Sequence, residues 1–224
     1  MSKHDFAREE FADRLARVRA AIDGAGLDWL LVFHPVSIHW LTGADTKSYT
    51  SFQCLPVAAK AAPLTILTRE MDRNEFEDDT LVDAVRGWNG REPEDPMVAF
   101  SRFAADLGLR AARIGMEVPA FYLHPQHYVR IKALLGDALV AEPTNLIHDL
   151  KMVKSPQEIA YHRRSAEIAG DAMAALLVRI TEGCTELDLA AEAFHSFLKA
   201  GSGLPASTMN LVTGERSCFV LGAP

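Results

Sequence analysis

Basic side chains are the scarcer charged class in this 224-residue chain: 23 Lys and Arg stand against 30 Asp and Glu, a formal charge of −7. No Lys/Arg block stands out, so the positive footprint that a nucleic-acid groove needs is missing. Cysteine is scarcer still. Cys54, Cys184 and Cys218 are odd in number, far apart and without a C-x-x-C pair. That argues against a disulfide framework or a structural zinc knuckle and fits a reducing compartment. No apolar run reaches membrane-spanning length. The start, Met1-Ser2-Lys3-His4-Asp5-Phe6, lacks the apolar core and small-residue cleavage site of a secretory signal. The expectation is a soluble, cytoplasmic protein with neither nucleic acid nor membrane as a partner. Apolar residues are plentiful: with 49% hydrophobic against 24% charged, a packed core is feasible.

The most informative stretch runs from Leu150 to Ile159. Ser155 is placed to cap a helix, Pro156 suits its first position, and Glu158 can reach back to the Ser155 N–H. Tyr161 to Ile180 then reads as one long helix. Two structural units are expected, with residues 1–144 forming the first and 145–224 the second.

Strand and helix patterns alternate through the first part. Phe11, Leu15, Val18 and Ile22 share one helical face, with Arg14, Arg17 and Arg19 off it. Leu27 to Phe33 is an apolar run suited to a strand covered on both faces. Phe52–Ala59 and Pro63–Thr68 read as strands joined by a turn, and Leu81–Trp88 as another strand. Helices are expected over Glu70–Asp79, Met97–Leu107 and Gln126–Leu135. Short strands are expected at Arg113–Glu117 and Ala138–Val140. The pattern predicts a three-layer α/β domain. In the second part Thr185 and Asp188 can cap a further helix, Leu204–Val212 looks like a strand, and Gly214-Glu215-Arg216 a turn. Two helices and one or two strands cannot bury a two-faced core alone, so this part reads as the unfinished start of a domain.

Histidines and acids form no ligand pattern. His148, Asp149 and His162 read as a polar connection. His34 and His39 flank a tight turn. His124 and His127 read as a solvated helix start, and Glu75, Glu77, Asp78 and Asp79 as a wet helix end without EF-hand spacing. Cys184 and Cys218 have no nearby His or Lys to activate a thiol.

Four segments together resemble the creatinase and proline-specific aminopeptidase family: Val36–Gly43 (VSIHWLTG), Arg113–Glu117 (RIGME), Leu150–Ile159 (LKMVKSPQEI) and Glu182–Ala190 (EGCTELDLA). The resemblance implies an N-terminal creatinase-like α/β domain followed by the first part of an α+β pita-bread domain, and a homodimer. It implies a hydrolase that cleaves an amide or other C–N bond of a dipeptide or small molecule. It also implies two divalent ions (Mn, Co or Zn) in the full-length protein, held by two Asp, one His and two Glu, none of which can be assigned here. Such a pair of hard cations would acidify a water and polarise the scissile carbonyl. The expectation is therefore no cofactor in this chain, and no activity from this chain alone.

One departure matters. Where many members carry a His in a Ser-x-x-x-His-Gly-x-Pro segment, Ser217–Pro224 places Leu221, which cannot move a proton. That keeps open a metal-free creatinase- or ectoine-hydrolase-like enzyme and a non-catalytic partner-binding module. By the same resemblance, Tyr49 lies in a polar, aromatic segment that would reach a partner's substrate pocket. Arg216 has a planar fork suited to a substrate carboxylate. For both, a plain surface role is the competing reading.

Overall fold

The computed structural model describes residues 3–45, 50–89, 95–203, 209–219 and 221–224. It divides into two compact units, Met1–Val153 and Lys154–Pro224.

The first unit runs α1 (Arg8–Gly24), β1 (Trp29–Val32), α2 (Pro35–Thr42), β2 (Leu55–Ala58), β3 (Thr65–Arg69), α3 (Arg73–Asp79), β4 (Ala84–Trp88), α4 (Pro96–Asp106), β5 (Ile114–Met116), α5 (Pro125–Leu135), β6 (Leu139–Ala141) and α6 (Leu146–Met152). One sheet has the order β2-β1-β5-β6 and a second pairs β3 with β4. β1 is antiparallel to β2 and parallel to β5; β5–β6 and β3–β4 are parallel. Cys54 and Leu67 exchange both backbone hydrogen bonds at 2.9 Å, an antiparallel bridge that joins the edges of the two sheets.

Alternation along β1 builds the layers. Leu30 and Val32 face a cluster with Val18 and Ile22 of α1, Ile38 and Leu41 of α2, Phe76 of α3 and Ile147 of α6. Leu31 faces the other way, into a cluster with Met97, Phe100 and Phe103 of α4 and Ile131 and Leu135 of α5. A period of two on a strand covered by helices gives two cores, one per face. The expected three-layer α/β domain is present. At Gly115 of β5 bulk would not fit: a Cβ there would lie 2.6 Å from Leu27 Cδ1 and 3.2 Å from Pro143 Cγ.

Two expectations need correction. Arg14 lies off the apolar stripe of α1, as its spacing predicts, yet it is buried, only 3% exposed. Its guanidinium stacks over Phe6, Phe11 and Trp40 and donates to the Trp40 carbonyl (3.1 Å) and Glu10 (2.7 Å). Aromatic faces and a carboxylate replace the water that a cation would otherwise keep. β2 and β3, the strands read as joined by a turn, follow one another as expected and take their ladders from β1 and β4 respectively. The division between units falls after Val153, because α6 belongs to the first core. Ile147 is fully buried there, and Arg17 donates to the Leu150 carbonyl at 2.9 Å.

The second unit contains α7 (Pro156–Arg179) and α8 (Glu186–Lys199). Both expected capping boxes are formed, Ser155 with Glu158 and Thr185 with Asp188. Leu176, Leu189 and Ala193 form its small core, with Phe197, Met209 and Leu211 against them. The expected strand over 204–212 lies partly outside the described residues, and residues 209–212 are not in a strand. Gly214–Cys218 is a 3-10 turn. Cys54 is buried, Cys184 half-buried and Cys218 exposed. No helix among the described residues is long and apolar enough to cross a membrane.

Candidate functional site

β1 and β5 run side by side in parallel, and the chain leaves their C-terminal ends toward opposite faces of the sheet, into α2 and toward α5. A crevice at such a switch point is where open α/β sheets bind ligands. The residue that follows β5 at this switch point is Glu117.

Glu117 is 1% exposed. Its backbone N–H continues the ladder to the Leu31 carbonyl (3.0 Å). Its Oε2 accepts from the N–H groups of Phe33 and His34, each at 3.0 Å, where β1 ends. Burial pushes its carboxyl above the usual carboxylate value. The two N–H groups, the Lys151 ammonium and the Ser37 hydroxyl work against that push. Lys151 of α6 donates to Ser37 Oγ of α2 at 3.2 Å. His34 packs edge-on to Tyr122 with centroids 5.0 Å apart. Burial lowers the His34 imidazole, and the charges of Lys151 and His148 lower it further. The result is a polar clamp that fixes the ends of two strands and two helices. Its carboxylate is spent on the backbone N–H groups of Phe33 and His34, so its role is to hold the end of β1 against the end of β5.

Sequence reading picked out the strand carrying Glu117 and the helix motif carrying Lys151, but not their meeting. The available signal was an acid directly after an apolar strand, a position where a charge must be satisfied from within. His148, read as part of a polar connection, is exposed on α6 and acts electrostatically on His34. The thiol of Cys54, wholly buried, is pushed well up by burial and by the Glu117 charge, so it stays protonated.

Tyr49 lies outside the described residues. Arg216 is engaged within the second unit. Its guanidinium donates to Glu186 and to the Ala223 carbonyl, the latter at 2.6 Å. Glu186 also accepts from Thr213 N–H (2.7 Å) and Thr213 Oγ1 (3.1 Å). This first residue of α8 therefore holds Thr213 and Arg216 in place, a role that sequence reading missed. Leu221 is 81% exposed. Nearby in the same unit, Arg179, Thr181, Cys184, Asp188, Glu192 and His195 line an open groove crossed by the Arg179–Glu192 ion pair (3.0 Å).

Among the described residues, no three or more His, Cys, Asp or Glu come together in a way that could hold a metal ion. The metal pair that the resemblance implies does not fit these residues.

Residues 14–153 match the Creatinase/Prolidase N-terminal domain. The chain belongs to that family. It is 26% identical over 226 residues to the ectoine hydrolase of Halomonas elongata, a match that covers 94% of this chain and 56% of that protein. Among solved structures it resembles the dipeptidase PepE of Mycobacterium ulcerans, with a TM-score of 0.66, 22% identity, and 87% of this chain and 51% of that one covered. It also resembles the prolidase of Pyrococcus horikoshii, with a TM-score of 0.64, 18% identity, and 82% and 48% covered. The chain spans about half the length of the relatives it matches. These structural likenesses establish the fold, an α/β first unit leading into a pita-bread architecture.

Proposed function

We infer that this chain is the N-terminal part of a hydrolase that cleaves an amide or other C–N bond of a dipeptide or small molecule. The observation that carries this reading is the family match over residues 14–153, supported by relatives that are themselves named hydrolases and peptidases. On this reading the first unit folds and orients, and residues outside this chain supply the reaction centre. A pair of divalent cations (Mn, Co or Zn) would belong to that centre in the full-length protein. A cytoplasmic homodimer, with Tyr49 reaching the partner's substrate pocket, completes the proposal. The ion pair with Glu186 favours a holding role for Arg216 over contact with a substrate carboxylate.

Leu221 and the long match to an ectoine hydrolase favour a small cyclic or guanidino-type substrate over an Xaa-Pro dipeptide. The test sets the full-length protein and the 224-residue chain against Xaa-Pro dipeptides and against creatine-like and ectoine-like compounds, with and without Mn²⁺, Co²⁺ or Zn²⁺. Turnover of at least one substrate by the full-length protein, and none by the 224-residue chain, is the expected result. Turnover by the shorter chain would sink the division of labour. Silence from the full-length protein across all substrates would leave the partner-binding module as the better reading.

A further inference from the structure

Two helices at the β1/β5 edge start in the same uncommon way. α2 opens with His34-Pro35 and α5 with His124-Pro125. In each, the histidine Nδ1 accepts from the N–H two residues on: Val36 to His34 at 3.2 Å, and Gln126 to His124 at 3.2 Å. Ser, Thr, Asp or Asn usually fill this position and keep an acceptor near neutral pH. Imidazole does not. Its neutral ring has one acceptor nitrogen, and its protonated ring has none. A proton at either cap would set N–H against N–H and place a cation at the positive end of a helix.

The same segment touches both caps. At its start Glu117 holds the N–H groups of Phe33 and His34. In its middle Tyr122 lies against the His34 ring. At its end stands His124. We propose that His34 and His124 form a proton-operated latch: neutral, they hold the first turns of α2 and α5 and the 117–124 segment between them; protonated, they release all three.

The surroundings of His34 favour its neutral state. Lys151 and His148 of α6 face His34, where added positive charge would be repelled, while Glu117 and Tyr122 meet it from the segment. His124 is faced by His127 of α5, with ring centroids 5.6 Å apart. His127 is in turn faced by Phe52 at 5.1 Å and by the charges of Asp95 and Arg130, and burial and the His124 charge lower it. The folded values of His34 and His127 lie below the ordinary histidine value of about 6.5, so the unfolded chain binds these protons more readily. The stability they lend is present above about pH 6.5 and is lost as pH falls through the lower folded values.

The test is amide hydrogen exchange at Val36 and Gln126, corrected for intrinsic rate, at about pH 7.5 and about pH 5, on the wild type, His34→Asn and His124→Asn. Asparagine keeps the cap and does not titrate. Loss of a cap predicts a roughly five- to tenfold fall in protection at both N–H groups of the wild type in acid. In His34→Asn, Val36 should stay protected while Gln126 still falls; His124→Asn should show the reverse. Equal acid losses in the wild type and both variants, or no loss in the wild type, would overturn the latch. An NMR titration of the unaltered histidines serves as a second reading. Val36 protection must fall over the pH range in which the His34 ring takes up its proton, and a fall centred elsewhere counts against the proposal.

Discussion

At the scale of single residues, Glu117 shows how a buried charge can organise a fold without doing chemistry. Glu117→Ala would strand two N–H groups, one of them buried, and should cost about 3 kcal/mol. Glu117→Gln keeps an acceptor and removes the buried charge, so it should stay within about 1 kcal/mol of wild type at neutral pH. The wild-type carboxyl sits above the usual carboxylate value. The stability that comes from holding its proton is therefore complete below about pH 4.5 and is lost as pH rises through the folded value. Urea denaturation midpoints between about pH 4 and pH 8 should show that loss in the wild type and its absence in Glu117→Gln. Arg14 marks a limit of reading residues from sequence. Helical spacing finds the apolar stripe of Phe11, Val18 and Ile22, but it cannot show that Phe6 and Trp40 close over a neighbouring guanidinium, because those contacts come from other elements. Gly115 and Glu117 were visible as a motif, whereas the crowding by Leu27 and Pro143 that requires a glycine was not.

At the scale of elements, what was legible is what is local. α4, α5, α7 and α8 lie close to where they were expected; for α7 and α8 the starts are written in the residues that cap them, Ser155 and Thr185, and in the structure Asp95 and His124 cap the other two. Strands were found but their partners were not. An apolar run can say that a strand is buried, yet its neighbour is chosen by contacts far away in the chain, and so β2 came to pair with β1. The capping box of α7 gives a direct check. Ser155→Ala removes the acceptor for Glu158 N–H (3.1 Å) and should destabilise the helix by about 1 kcal/mol. Exchange protection in the first turn of α7 should fall while that of α8 is unchanged.

At the scale of the whole molecule, the two units differ in how much core they own. The first has two clusters, one on each side of its sheet, and the second has a small one around Leu176 and Leu189. The first unit needs α6: a chain ended at Thr144 loses Ile147, the Arg17–Leu150 hydrogen bond and the Lys151–Ser37 contact. It should be at least about 2 kcal/mol less stable to urea than a chain ended at Val153, and equal midpoints would show α6 to be dispensable. The three thiols have an outcome of their own for any study of assembly. Two are shielded to different degrees, while the exposed Cys218 can meet its counterpart on another molecule. In aerated buffer that encounter would yield a covalent pair of chains bearing no relation to any natural dimer, so only an association that survives added thiol reductant speaks to quaternary structure.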